Sequence, residues 1–239
     1  MTDRQTQILL AIIREFMITA SPIGSVILYE KYHIKASPAT IRNEMVSLAE
    51  LGYLEKTHFS AGRIPTTTGF RYYIDRLMHE ELVDYMQEVE LRQLLHAQRF
   101  QRDKLIKMAV DNLADTLKYA AVALADDTIF YSGISEILDY PEFQDIDNLK
   151  SILGVIENYS ILKNVFGKAM SDNDIKVLVG EETGFRSFSP CAVVYAEFRL
   201  YQGQVGFIGV IGPIRMDYAQ VIPHVRFVAD TLSSVTRGW

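Results

Sequence analysis

One cysteine, Cys191, in 239 residues excludes an internal disulfide and fits a reducing compartment. No apolar run approaches the roughly 20 residues that a membrane-crossing helix needs. Asp3 and Arg4 lead straight into an amphipathic pattern rather than a signal peptide, so a cytoplasmic protein with no membrane partner is expected. Low-complexity tracts are missing and 49% of residues are hydrophobic, which argues against a largely disordered chain. The length suffices for two modest domains with their own cores.

Chemistry is thin as well. The five histidines, His33, His58, His79, His96 and His224, are scattered without metal-ligand spacing, so neither metal nor cofactor is expected. Gly206, Gly209 and Gly212 form G-x-x-G-x-x-G inside a strand pattern, not the G-x-G-x-x-G that opens a helix at a dinucleotide site. Close strand packing explains them better. Cys191 lies in an apolar strand run and reads as a buried structural thiol rather than a nucleophile. Asp126-Asp127 and Glu181-Glu182 read as solvated loop pairs. No enzyme is expected.

What is present begins with Ser37-Pro38-Ala39-Thr40-Ile41-Arg42-Asn43-Glu44-Met45-Val46-Ser47-Leu48. Ser37 is a good N-cap and Pro38 a good first helical residue, because the missing amide costs nothing there. Ile41, Met45 and Leu48 share an inward face at helical spacing. The other face shows Ala39, Arg42, Asn43, Val46 and Ser47. Arg and Asn bond bidentately to guanine and adenine edges, and small neighbours let a helix sink into the major groove. A DNA recognition helix is one reading; an ordinary amphipathic surface helix is the other.

The flanks favour the first reading. Thr2-Asp3-Arg4-Gln5 has the form of a capping box, before a helix with Ile8, Leu9, Ile12, Ile13 and Phe16 on its inner face. The stretch 21–25 breaks it and starts a short second helix through Val26, Leu28 and Tyr32. A turn at 33–36 precedes the candidate recognition helix, which is the helix-turn-helix order. Gly52 ends the third helix. Strand residues 53–57 and a loop at 60–63 then predict a β-hairpin with a basic tip, Arg63, able to reach phosphates or the minor groove. The DNA-binding residues expected are therefore Ser37, Ala39, Thr40, Arg42, Asn43 and Val46 on the helix. On and after the hairpin they are His58, Ser60, Gly62, Arg63, Thr66 and Arg71.

The net charge of −6 is uneven. Residues 1–75 hold 8 Lys/Arg and 7 Asp/Glu, or +1, whereas 76–239 hold 16 and 23, or −7. So small a positive charge requires arrangement, with Arg42, Arg63 and Arg71 facing DNA while Asp3, Glu15 and Glu55 face away.

Downstream, residues 70–120 read as helical. Met78, Leu82, Tyr85 and Val89 share one face, and Ile106, Ala109, Val110, Leu113 and Leu117 another. Strands are predicted at 120–125, 128–134 and 175–179, one or two helices at 146–170, and a hairpin of 191–200 with 204–211. A last helix covers 216–235, with Pro223 opening its main part or kinking it. Arg215, Asp217 and Tyr218 follow a glycine-proline turn at its start. They admit either a structural role or an effector or interface contact.

Several of these stretches together resemble the HrcA family of heat-inducible transcription repressors. The carriers are Ala39-Thr40-Ile41-Arg42-Asn43-Glu44-Met45, His58-Phe59-Ser60-Ala61-Gly62-Arg63-Ile64-Pro65-Thr66 and Gly69-Phe70-Arg71-Tyr72-Tyr73-Ile74-Asp75. Tyr131-Ser132-Gly133, Tyr140-Pro141-Glu142-Phe143, Val179-Gly180-Glu181-Glu182 and the run 206–218 continue it downstream. The resemblance implies an α+β protein in three parts: a winged helix-turn-helix DNA-binding domain at 1–80, a helical connector at 81–119, and a GAF-like domain with a mainly antiparallel sheet at 120–239. It also implies a dimer on an inverted-repeat, CIRCE-type operator ahead of chaperonin operons, with the chaperonin as modulator. One departure stands out. The family's inserted dimerisation segment would fall where Asp126-Asp127 runs directly into Thr128.

Two other functions remain open on the sequence. One is a winged-helix regulator controlled by a small molecule bound in the GAF-like domain, which an apolar pocket in the sheet would favour. The other is a scaffold that keeps the fold without binding DNA.

Overall fold

The amino-terminal helix is set by its first four residues. Thr2 Oγ1 accepts the Gln5 amide at 3.2 Å and Gln5 Oε1 accepts the Thr2 amide at 2.9 Å, closing a capping box over α1 (Asp3–Thr19). In this computed structural model, residues 1–57, 62–167 and 174–236 are described. The chain divides by its contacts into two units, 1–79 and 80–239.

In the first unit, α2 (Ser25–Tyr32) and α3 (Pro38–Glu50) follow α1. Ile8, Leu9, Ile12 and Ile13 of α1, Leu28 of α2, and Ile41, Met45 and Leu48 of α3 are buried together as the core. Two polar ties fix the helices. Glu15, only 6% exposed, takes Lys31 Nζ at 2.6 Å and the Tyr32 hydroxyl at 2.9 Å. Glu44 of α3 takes Gln5 Nε2 at 3.0 Å, with Arg4 at 3.7 Å.

An antiparallel pair, β1 (Leu54–Lys56) and β2 (Arg63–Pro65), comes next. Ile23 bridges Arg63 by two backbone hydrogen bonds of 2.9 Å, so the segment ahead of α2 joins the pair as a third rung. Thr66 caps α4 (Thr67–Tyr72), which continues into a wider turn at Tyr73–Leu77.

The second unit is a five-stranded antiparallel sheet in the order β4-β3-β7-β6-β5. The strands are β3 (Ala120–Ala125), β4 (Thr128–Ser132), β5 (Ile175–Val179), β6 (Cys191–Arg199) and β7 (Val205–Pro213). Every residue of β3 is buried, which requires cover on both faces. Helices α7 (Ile146–Ile156) and α8 (Tyr159–Phe166) supply Ile152, Val155, Ile156, Leu162, Val165 and Phe166 to the cluster around Val122, Leu124, Val193 and Tyr195. Helices α6 (Arg102–Leu117) and α9 (Tyr218–Thr236) also pack on the sheet, and α5 (Tyr85–Ala97) packs on α6 and α9. The protein is thus α+β with an antiparallel sheet, consistent with a GAF-like second unit.

Three glycines of β7 are needed for contact. A Cβ on Gly209 would lie 2.2 Å from the Val194 carbonyl oxygen, one on Gly206 2.4 Å from Phe198 Cζ, and one on Gly212 2.7 Å from Tyr119 Cδ1. Close strand packing accounts for the spacing.

The structure revises some sequence-based boundaries. Residues 81–119 were expected as a connector, yet α5 and α6 belong to the second unit, where Leu91, Leu95, Leu105, Ile106 and Leu113 are buried. The stripe Met78, Leu82, Tyr85, Val89 does not form. Asp84 caps α5, so its first turn begins at Tyr85, and Leu82 and Tyr85 are 97% and 73% exposed. The strand expected at 128–134 stops at Ser132 because Gly133, at φ 69°, turns the backbone.

Pro223 sits inside α9 without breaking it. Its missing N–H leaves the Ala219 carbonyl without its helical donor, and the Glu81 amide takes that place at 2.9 Å. Arg226, one turn on, holds Glu80 through Nη1 at 2.5 Å and Nη2 at 2.9 Å.

Candidate nucleic-acid interface

Helix α3 presents one face inward and leaves the other free. Ser37 Oγ accepts the Thr40 amide at 3.2 Å and meets Thr40 Oγ1 at 3.0 Å, so both hydroxyls serve the cap. Beyond that turn Ala39, Arg42 and Asn43 are exposed, as is Val46. Among the described residues Arg42 and Asn43 have no hydrogen-bond or ion-pair partner. Glu44, the carboxylate nearest them in sequence, is held by Arg4 and Gln5 of α1. A cation, an amide and a β-branched methyl pair therefore share one solvent-facing strip, positioned by a rigid, capped helix.

That strip borders a groove. Ser25, Val26 and Ile27 of α2, Arg42, Met45 and Val46 of α3, and Lys56, Gly62 and Arg63 of the hairpin line it. Three of these residues are cationic. Lys56 and Ile27 escaped the sequence reading, which placed Val26 on the second helix with Leu28 and gave it no site role. Leu28 alone of the three aliphatic residues in α2 is buried, and Val26 and Ile27 are left exposed.

The hairpin residues separate on inspection. Arg63 was expected at the tip; it is the first residue of β2, opposite Lys56 at the loop end of the ladder, with its backbone bridged to Ile23. Its Nη1 donates to the Gly62 carbonyl at 3.3 Å. Gly62 is buried, and a Cβ there would lie 2.9 Å from Pro22, so its lack of side chain serves packing. Thr66 Oγ1 accepts the Gly69 amide at 3.1 Å and donates to the Gly52 carbonyl at 2.6 Å, tying α4 to the end of α3. Arg71 pairs with Asp75 at 3.7 Å, one turn on. His58 and Ser60 lie outside the described residues.

Glu15, expected to face away, is instead the buried partner of Lys31 and Tyr32. The hydrogen bond from Lys31 holds its carboxyl below the usual range, and burial with the Glu15 contact pushes the Tyr32 hydroxyl up to about 12.

Of Arg215, Asp217 and Tyr218 the last is buried and the first two are half-buried. Arg215 Nε and Nη2 reach the Glu142 carboxylate at 2.6 and 3.2 Å, and its guanidinium lies 5.4 Å from the Tyr140 ring centre. Tyr140 stacks on Tyr119, whose hydroxyl accepts the Asp217 amide at 3.3 Å. Tyr218 is fully buried and donates to the Ile214 carbonyl at 2.7 Å. Two motifs far apart in sequence, 140–143 and 212–218, thus form one structural lock. Cys191 is fully buried, and burial, then the nearby Glu142 charge, pushes its thiol up. A cleft among α5, α6 and α9 has a mixed lining, with Gln87, Glu90, Asn112, Thr116 and His224 beside Leu91, Phe227 and Val228.

Among the described residues no cluster of His, Cys, Asp and Glu could hold a metal, and no helix is long and apolar enough to cross a membrane.

Residues 71–222 match the family model described as the HrcA protein C-terminal domain. The chain belongs to the HrcA family. Its similarity to curated HrcA proteins extends through the first unit. The heat-inducible transcription repressor HrcA of Pelotomaculum thermopropionicum is 26% identical, with 98% of this chain and 96% of that protein covered. The protein of that name from Desulforamulus reducens is 27% identical, covering 100% and 99%. The first alignment runs 334 positions against a chain of 239, so at least 95 positions of that HrcA relative face no residue here. A crystal structure titled as a hypothetical protein superposes with a TM-score of 0.80 over 99% of this chain and 98% of its own, at 17% identity. It shows a shared fold.

Proposed function

We propose that this HrcA-family transcription repressor of heat-shock genes acts in the cytoplasm by binding an inverted-repeat, CIRCE-type operator as a dimer. The first unit serves as a winged helix-turn-helix, with α3 in the major groove and the β1–β2 hairpin as the wing. The carrying observation is the α3 strip: Arg42 and Asn43 exposed, without partners among the described residues, on a helix whose inner face is the core. Arg42 and Asn43 read base edges, and Arg63 and Lys56 face the phosphates. Chaperonin raises the fraction of repressor able to bind, without changing the site it selects.

Duplexes selected from random DNA by the purified chain should contain an inverted repeat. On that duplex Arg42→Ala or Asn43→Ala should each cost about 1–3 kcal/mol of binding, with affinity for unrelated DNA nearly unchanged. Equal losses on both would overturn the assignment of base readout to α3.

A further inference from the structure

Three apolar side chains in the α2–α3 groove have no role in the core. Val26, Ile27 and Val46 are 51%, 41% and 40% exposed, and all three border the space that Arg42, Lys56 and Arg63 also line. Helix α3 does not need Val46 for folding, because Ile41, Met45 and Leu48 make its buried stripe. A β-branched residue left in water beside three cations suits a partner that is anionic overall and carries isolated methyl groups. Duplex DNA fits both demands. Its phosphates match the cations, and the C5 methyl of thymine is the one apolar group on the major-groove edge.

We infer that Val46, walled by Val26 and Ile27, forms a seat for a thymine methyl and so makes thymine a specificity-determining base of the operator. The inference rests on α3 entering the major groove. Val46 stands one helical turn from Arg42 on the same face, about 5–6 Å along the helix surface. Successive base pairs rise about 3.4 Å. The thymine therefore lies one or two base pairs from the base that Arg42 contacts, once in each half-site. An exposed pair of apolar residues at the start of α2 becomes intelligible as the far wall of that seat.

Deoxyuridine removes the methyl and leaves every hydrogen-bonding edge of thymine in place. The test uses the full chain and the duplex it selects from random DNA, replacing each thymine in turn by deoxyuridine and measuring Kd. At one position per half-site, one or two base pairs from the Arg42 contact, affinity should fall about three- to fourfold, the worth of one buried methyl. In Val46→Ala, which folds normally because the side chain is exposed, the same replacement should make no difference. Wild-type binding that ignores deoxyuridine everywhere, or a loss that persists undiminished in Val46→Ala, overturns the methyl seat and leaves base readout by Arg42 standing. Failure to select any sequence overturns both.

Discussion

Single side chains in this protein separate into those that answer to solvent and those that answer to the core. Glu15 is the clearest of the second kind. Its carboxylate is 6% exposed and serves two donors, Lys31 and Tyr32, which tie α1 to α2. Because the folded state holds its pKa below the ordinary 4.5, the ionised form contributes stability that is present at neutral pH. That stability is lost as pH falls below 4.5 and through the lower folded value. Thermal melts of the full chain should therefore lose midpoint on acidification over that window. Glu15→Gln should cost about 1–3 kcal/mol at pH 7 and flatten this acid limb, both readable by circular dichroism. An unchanged limb in the variant would mean other carboxylates govern it. The surface pair Arg71–Asp75 is a contrast: exposed and 3.7 Å apart, it adds little.

Elements here are placed by their ends and by their close approaches. Helix α9 tolerates Pro223 because the carbonyl it orphans is taken by Glu81, and the Glu80–Arg226 pair holds that segment in register. Arg226→Gln should therefore speed hydrogen exchange at the Glu81 amide while leaving the β6–β7 amides protected, measured by exchange with mass spectrometry. The pair is over a third exposed on each side, so global stability should change by less than about 1 kcal/mol. Strand β7 is less forgiving. Gly209→Ala would put a methyl against the Val194 carbonyl and should destabilise the second unit by about 1–3 kcal/mol.

The two units carry different charge: residues 1–79 hold 9 Lys/Arg and 7 Asp/Glu, or +2, and residues 80–239 hold 15 and 23, or −8. On the proposed function, a module so near neutrality needs two copies on adjacent half-sites for useful affinity. The full chain should run as a dimer by light scattering and bind the selected operator far more tightly than residues 1–79 alone. A tightly binding monomer would refute the dimeric part of the proposal. The alignments with the HrcA proteins of Pelotomaculum thermopropionicum and Desulforamulus reducens run more than 90 positions beyond this chain's length, and here two residues, Asp126 and Asp127, join β3 to β4.

Local chemistry made much of this legible beforehand. The Thr2 capping box, the Ser37-Pro38 helix start, the inward stripe Ile41, Met45, Leu48 and the strand at 175–179 all follow from contacts within a few residues, which sequence spacing records. Long-range partners were not legible, because nothing in spacing says which distant group a side chain meets. Arg215 and Glu142 are 73 positions apart, yet their ion pair ties the 212–218 motif to the 140–143 motif. The backbone bridge between Arg63 and Ile23, forty residues earlier, was equally invisible to spacing. Helices α5 and α6 read as a helical connector, and only the surface of α9 and the sheet shows where their apolar stripes go. The readable face of α3 came from the sequence; the groove beside it, with Val26, Ile27 and Lys56, exists only once α2, α3 and the hairpin are folded together.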